Sequence, residues 1–322
     1  MSQVIGAYTK LLLCPEASYG KLGSSLDGKI LSLPYNTNNL SASQKINDAS
    51  TIRGRRDAAD PILGNHDSSG DIDVPLDVNA FGWWLAAMFG SPTTTQDTSS
   101  KLYTHVFKVG DTMPSFTIEK NAEKNGVFLR TAGAMINKLA LSFGGDNELT
   151  AKLSCIGSKE TTETASLGKA TAVDLRRLNQ FQCNSLKLGG VETDIVTQLT
   201  LDIDFGLDTD GYAIGNGGYR SRVNPGVVKP SGKITAFFDD ASLLKKANAN
   251  EESSLEVALV RGDESLTIKI PELQYNYKSP DISGPSGVKQ ELDYHGYWSD
   301  STDNSCVVFT LVNKTASYAF NG

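Results

Sequence analysis

The sequence predicts a mainly β protein made of two tandem β-sandwich or half-barrel domains, each with one short α-helix beside its sheet. Three observations support this fold class. Short segments of alternating apolar and polar residues, typical of strands with one buried face, recur along the 322 residues. A strand-to-helix unit occurs twice. Long helices do not alternate with the strands, as a parallel α/β sheet would require.

The first strand-to-helix unit begins with the sequence SGDIDVPLD at residues 69–77. Its apolar residues alternate with polar ones, which predicts a strand with one buried face. Asp77 or Asn79 is a suitable N-cap for the helix that follows, and Gly90 is expected to end it. Between these limits the apolar side chains fall on one helical face, at Phe81, Trp84, Leu85 and Met88.

The second unit begins with SGKITAFFD at residues 231–239, and a short helical pattern follows at 241–249. Gly232 therefore corresponds to Gly70, and we call the offset between their residue numbers the first spacing. Later strands match at a smaller offset, which we call the second spacing. By this offset Asn276 corresponds to Asn137, and Gly296 corresponds to Gly157. One insertion in the first copy, at 91–113, accounts for the difference between the two spacings. Matching order with a single insertion predicts a duplication.

The repeat and the composition shifts between segments predict five regions. They are an N-terminal arm (1–25), a first β domain (26–158), a linker (159–184), a second β domain (185–312) and a C-terminal tail (313–322). Within the first domain, 30–33 is a short strand, and the Asn- and Ser-rich residues 34–51 are predicted to be an exposed loop.

Composition restricts the function. The net charge is −7, which argues against tight wrapping of nucleic acid, because phosphate binding needs a basic surface. No apolar run is long enough for a transmembrane helix, and the apolar residues at 11–13 are too few for a signal peptide. The four cysteines lack the spacing of a zinc site or a disulfide framework and are expected to be free thiols.

The motifs of common enzymes do not occur. There is no phosphate-binding loop, Gly-x-Ser-x-Gly elbow or His-Glu-x-x-His sequence. We therefore predict no catalytic, cofactor-binding or metal-binding residues, and a protein that is not an enzyme. The aromatic side chains Trp83, Trp84 and Trp298, together with nearby tyrosines, suggest an alternative, a carbohydrate-binding β-sandwich, although the helical spacing of the first two favours core packing.

Several short segments, in their order and spacing, resemble the tail tube proteins of long-tailed bacteriophages. The resemblance covers nearly the whole chain. The segments are EASYG at 16–20, LP at 33–34, RGR at 53–55, GNHDSSGDI at 64–72, the helix start DVNAFGWWL at 77–85, YTH at 103–105, PSFTIE at 114–119, DGYAIG at 210–215, VKPSG at 228–232 and SSL at 253–255.

The resemblance implies a structural protein of the virion tail, assembled in the host cytoplasm, with no catalytic residues. Proteins of this family form rings that share an inner β-barrel and stack into a tube. DNA passes through the lumen without specific binding. If each chain supplies two domains, three chains would close a ring with pseudo-sixfold symmetry; a hexamer of chains is the alternative. The family also implies contacts with tape measure, tail terminator and distal tail proteins, and none with membranes.

The segments 34–51 and 91–113 are candidates for ring-stacking contacts, with ordinary exposed loops as the other interpretation. Among assemblies, a secretion-system tube or a head–tail protein remains an alternative to the tail tube.

Overall fold

The computed structural model describes residues 3–282, 284–300 and 303–320, which form 21 strands and two α-helices. The first half contains β1 (Lys10–Ser18), β2 (Lys21–Leu22), β3 (Leu31–Leu33), β4 (Thr37–Asn38), β5 (Ser41–Asn47), β6 (Ile62–Pro75), α1 (Phe81–Phe89), β7 (Thr93–Gln96), β8 (Tyr103–Lys108), β9 (Phe116–Ala122), β10 (Val127–Phe143), β11 (Thr150–Gly157) and β12 (Lys159–Glu163). The second contains β13 (Thr171–Ala172), β14 (Cys183–Leu188), β15 (Val191–Glu192), β16 (Val196–Asp204), β17 (Lys229–Phe237), α2 (Ser242–Ala249), β18 (Ser253–Arg261), β19 (Glu264–Tyr275), β20 (Lys289–Tyr297) and β21 (Val308–Asn313).

Strand β10 is the longest and belongs to two groups of strands. Its first part pairs with β9 and β12, in the order β13–β3–β1–β9–β10–β12. Its second part pairs with β11 and β16. The register shifts between Thr131 and Ala134, where Gly133 adopts φ +67°. A bulge of this kind bends a strand, so β10 can serve both groups.

The larger group runs β5–β6–β11–β10–β16–β17–β20–β19, with β4 beside β5 on β6. From β19 the pairing continues through β18, β14 and β15, and also through β21, β8 and β7. The pairings are antiparallel except for β13 with β3. The whole is one large mixed sheet system.

The prediction of a mainly β fold with a short helix in each half is confirmed. The two halves do not appear as separate β-sandwiches, because β10 of the first half pairs directly with β16 of the second. One continuous hydrophobic core includes side chains from both halves, for example Leu139 and Ile203. The division into two domains, with the boundaries given above, stays a prediction.

Several segments that were expected to lie outside the sheets belong to them. In the predicted arm, β1 pairs with β3 and β9, and residues 11–14 are buried. In the predicted linker, β12 pairs with β10 and β13 with β3. In the predicted tail, Asn313 ends β21, and Tyr318 is fully buried although it lies in no strand. Local composition could not show these pairings, because each partner is distant in the sequence.

The prediction that 34–51 is a loop is wrong for β4 and β5, which pair with β6. The serines of β5 are exposed and the asparagines of β4 and β5 are only partly buried, so the stretch lacks the apolar alternation of a half-buried strand, although Leu40 is buried. The insertion 91–113 is not a free loop either. It forms β7 and β8, and β8 pairs with β21 near the C-terminus.

Both predicted helices are present. Burial of α1 is nearly complete. The N-cap residue is Ala80 and not Asp77 or Asn79, so the predicted N-cap position is wrong. The Asp77 carboxylate nevertheless lies just before the helix. That carboxylate accepts hydrogen bonds from the N–H groups of Asn79 and Ala80 at 2.6 Å and of Phe81 at 3.1 Å. Gly90 ends the helix with φ +81°, as expected of a C-terminal glycine. Among the described residues, no helix is both long enough and apolar enough to cross a membrane.

Candidate assembly surfaces

The strand pairings of the two halves correspond closely. Strands β6, β9, β10 and β11 pair as β6–β11, β10–β11 and β9–β10. In the same order, β17, β18, β19 and β20 pair as β17–β20, β19–β20 and β18–β19. Further correspondences are β1–β9 with β14–β18 and β10–β12 with β19–β21. Equivalent strands therefore have equivalent neighbours in the two halves.

Equivalent glycines permit equivalent close contacts. A Cβ added at Gly157 would lie 2.6 Å from Cγ2 of Thr131, and one at Gly296 would lie 2.7 Å from Cγ2 of Ile270. The second spacing relates both the two glycines and their two neighbours. At the first spacing, Gly70 allows close approach of the backbone at residues 39–40, between β4 and β5, and Gly232 allows close approach of the β16 backbone at Thr200. The sequence repeat thus coincides with a repeat of local packing.

The two halves are joined edge to edge by β10 and β16, from Lys138 opposite Asp204 to Phe143 opposite Leu199. Beyond this ladder, the backbone oxygen of Asn137 accepts a hydrogen bond from Phe205 N–H at 2.9 Å, and its side-chain oxygen accepts one from Leu207 N–H at 3.1 Å. We call this contact, residues 137–143 with 199–207, the internal joint. It satisfies one edge of each strand, and the leucine, isoleucine and phenylalanine side chains of the paired segments are buried.

The joined strands present one exposed polar face across both halves. Side chains directly opposite one another form its rows, for example Asp73–Lys152 and Lys233–Asp293. We call this the polar face. Its charged members are six carboxylates and five lysines: Asp71, Asp73, Asp202, Asp204, Glu291, Asp293, Lys138, Lys152, Lys229, Lys233 and Lys289.

Acidic partners lie beside most of these lysines. The Lys152 ammonium lies 2.9 Å from the Asp71 carboxylate, and Lys138 lies 3.3 Å from Asp204. Lys233 lies 3.6 Å from Glu291. The hydrogen bond from Lys152 lowers the pKa of Asp71, and Asp71 in turn raises the pKa of Lys152. Positive charge on this face is therefore interspersed with negative charge, and no continuous basic track is formed among the described residues.

Two of the motifs that carry the family resemblance serve folding. Glu16, in the EASYG segment, accepts hydrogen bonds from the hydroxyls of Ser115 and Thr117 and from Gly133 N–H, at 2.6 to 2.8 Å. It therefore ties β1 to β9 and to the bend of β10. Glu119, in the PSFTIE segment, is fully buried, and its carboxylate lies 3.0 Å from the guanidinium of Arg130. A buried carboxylate needs such partners.

The tryptophans do not form a common sugar-binding surface. Trp84 is 1% exposed and lies in the core, whereas Trp298 is 62% exposed. Trp83 packs against the rings of Tyr318 and Phe320. Within the described residues, no group of three or more His, Cys, Asp or Glu side chains is arranged to hold a metal ion. All four cysteines are free thiols, as expected.

Sequence reasoning missed the internal joint and the polar face, which are the features that can organise an assembly. The repeated Ser-Gly pair was the available signal, because both glycines lie where the backbone of a neighbouring segment approaches closely. The order of strands in a sheet, however, is set by contacts between residues far apart in the sequence.

Comparison with known proteins agrees with this picture. The sequence profile of a family described as phage tail tube protein matches residues 6–296. No curated protein matches the chain. The match extends over nearly the whole chain and includes the strands from β1 to β20, except the last residue of β20, together with the internal joint and the polar face; β21 lies beyond it. The chain therefore belongs to the phage tail tube protein family, and is a structural component of the virion tail, not an enzyme.

Proposed function

We propose that three copies of this protein close into a ring with pseudo-sixfold symmetry, and that the rings stack into the tube through which phage DNA passes. Each chain supplies two like modules, with the boundaries 26–158 and 185–312. The tube is assembled in the host cytoplasm. By its family, it also contacts a tape measure protein, a tail terminator and distal tail proteins.

The observation that carries the proposal is the internal joint. It connects equivalent sheets of the two halves through strand edges, in a continuous ladder from β5 to β19. A joint that connects two like modules can be repeated between chains, and repetition around an axis closes a ring when the rotation suits. Closure also removes exposed sheet edges, which otherwise invite unspecific pairing.

The polar face supports a role as the wall of a DNA conduit. Its six carboxylates and five lysines are interspersed, and three of the lysines lie beside carboxylates. DNA binding draws its affinity from lysine and arginine side chains that displace counterions from phosphates. A wall of paired charges supplies little of that affinity, so DNA can slide past it.

The loop at residues 48–61, between β5 and β6, is the proposed ring-stacking contact. It is exposed along most of its length, and Ile52 is 96% exposed. Two of its arginines pair with carboxylates of the same loop, Arg53 with Asp60 and Arg55 with Asp57. Deleting 49–60 and closing the gap with two glycines should leave β4 and β5 in place and a folded chain that forms rings but no tubes.

Electron microscopy of the concentrated protein, with its mass in solution, tests the ring. Class averages should show rings of three chains with six similar lobes, stacked into tubes. Rings of six complete chains would contradict the trimer. Shells or unstacked assemblies from the intact protein would instead favour a head–tail or other ring-forming component, and a strictly monomeric protein would contradict assembly altogether.

A further inference from the structure

The second half contains an unfilled counterpart of the internal joint. By the second spacing, residues 138–143 of β10 correspond to residues 277–282, which follow β19 closely. The correspondence holds in the strands that precede both segments, because Ile136 opposite Cys155 corresponds to Tyr275 opposite Tyr294. Residues 276–282, all of them described, nevertheless form no strand.

The burial of equivalent residues shows what this segment lacks. Phe143 is 6% exposed, opposite Leu199 of β16, whereas its counterpart Ile282 is 79% exposed. Tyr277 is exposed as well. Asn137 accepts hydrogen bonds from the chain beyond β16, while its counterpart Asn276 is exposed. The segment thus presents apolar side chains where the first half has a paired strand.

The first half contains the matching edge. Ser41 lies opposite Ser69 as Asp202 lies opposite Ser231, so β4 and β5 correspond to β16. The same relation holds for Thr37 opposite Asp73 and Gln198 opposite Thr235. Strand β16 pairs on its second edge with β10. In the part of the chain that the structure describes, β4 and β5 form backbone ladders with β6 alone.

We propose that residues 38–43 of one copy pair with residues 277–282 of a second copy, in the register of the internal joint. Tyr277 then lies opposite Ser43 of the neighbouring copy, and Ile282 lies opposite its Asn38. The segment becomes a strand on docking and completes the hairpin with β20. This inference rests on the proposed ring and identifies the two surfaces that close it.

One detail of the register supports the pairing. It places Pro280, which has no backbone N–H to donate, opposite Leu40. The backbone groups of Leu40 already have side-chain partners: its N–H donates to Asn38 Oδ1 at 3.0 Å, and its carbonyl accepts from the Lys120 ammonium at 2.5 Å. Pro280, which cannot donate a backbone hydrogen bond, therefore lies opposite a residue whose carbonyl already has a donor.

Cysteine cross-linking tests the register. Directly opposite residues in an antiparallel pair have Cβ atoms about 5 Å apart, close enough for oxidation to link many such pairs. The variant Ser43→Cys/Tyr277→Cys, in a Cys183→Ser background that removes the exposed native thiol, should give covalent dimers and closed trimers on oxidation of assembled rings. Reduction should reverse them. The matched control, Ser43→Cys/Ile282→Cys, places the second thiol at the far end of the segment, roughly 16 Å away, and should not cross-link.

A second variant tests the same contact without a covalent cross-link. Ile282→Asp should lower ring formation at least tenfold at equal protein concentration, whereas Ile282→Val should assemble like the unmodified chain. Ile282 is exposed in the single chain, so unfolding curves of the two unassembled variants should coincide. Rings that form without the Ser43–Tyr277 cross-link, or that tolerate Ile282→Asp, would overturn this pairing and leave the proposed function intact. Absence of any ring from the unmodified protein would overturn both.

Discussion

The two helices occupy the same place in the repeat and differ in almost everything else. Helix α1 has eight of its nine residues buried, whereas α2 buries only Ala247. The Phe89 ring lies 5.4 Å from the rings of Phe205 and Phe309, both in the second half of the chain. In α2, lysines stand where the first copy has its two adjacent tryptophans.

The difference shows how a duplicated unit acquires separate roles. The first copy of the helix lies at the centre of a core that both halves share, so its side chains hold the halves together. The second copy lies at the surface, so only a narrow stripe of apolar side chains on one helical face packs against the rest of the chain. Equivalent topology therefore does not imply equivalent contributions to stability.

The largest expected effect is that of Trp84→Ala. Trp84 is fully buried, and truncating a buried tryptophan costs about 3–5 kcal/mol of unfolding free energy, because contacts are lost and a cavity remains. Leu243→Ala in α2 is the matched change and should cost less than about 2 kcal/mol, since that side chain is only partly buried. Urea unfolding of the unassembled chain measures both. Equal losses would contradict the contrast between the helices.

Substitutions at the equivalent glycines Gly157 and Gly296 test whether local packing is alike in the two halves. Gly157→Ala and Gly296→Ala should each destabilise the chain by about 1–3 kcal/mol, because the new methyl group crowds Thr131 or Ile270. The same urea measurement should give losses that agree within about 1 kcal/mol. Gly126→Ala is the control for backbone strain. Its new methyl group would have no atom within 4 Å, but its φ is +65°, so its loss of stability measures strain without crowding. Very different losses at the two sites would contradict equivalent packing.

A pH effect distinguishes the carboxylate that precedes α1, Asp77, from the one that precedes α2, Asp240. Burial raises the pKa of Asp77 from 3.8 to about 6, against the hydrogen bonds from Asn79, Ala80 and Phe81, which lower it. The folded chain then binds the proton more tightly than the unfolded chain, so this group adds stability as pH falls from above 6 towards 4.

Between pH 7.5 and pH 5 the gain should be about 1–2 kcal/mol relative to Asp77→Asn, which cannot titrate. Unfolding free energies of both proteins at the two pH values give this difference, in which the other titrating groups largely cancel. The Asp240 carboxylate, which precedes α2, is fully exposed and has a lowered pKa, so the unmodified chain should show no such gain on acidification relative to Asp240→Asn. A loss of unfolding free energy on acidification, relative to Asp77→Asn, would contradict burial of the Asp77 carboxylate.

The smallest expected effect is in α2. Asn248 is exposed inside the helix, and Asn248→Ala should stabilise the chain by about 0.5 kcal/mol, because alanine has the higher helix propensity. A thermal unfolding curve with an unchanged or slightly raised midpoint is expected. A loss above about 1 kcal/mol would mean that α2 packs against more than the burial of Ala247 indicates.

Much of the local structure could be predicted from the sequence. The strand at 69–75, the helix that ends at Gly90 and its second copy follow from periodicity and end signals, which involve near neighbours. The predicted N-cap position is wrong, because the N-cap residue is Ala80, although Asp77 does accept hydrogen bonds from the first N–H groups. The family resemblance and the absence of enzyme motifs followed from short segments. The strands β4, β5 and β12 could not be predicted, because their residues are polar and their order comes from distant partners.

The sequence by itself determined that this chain is mainly β, repeats a strand-to-helix unit, and resembles a tube-forming family. These properties depend on residue order and on spacing within one segment. Only the tertiary structure decided that the halves share one core, that β10 joins β16, and that the insertion 91–113 pairs with β21. Edge pairing is made by backbone groups that every residue except proline carries in full, so side-chain identity does not encode which edges meet.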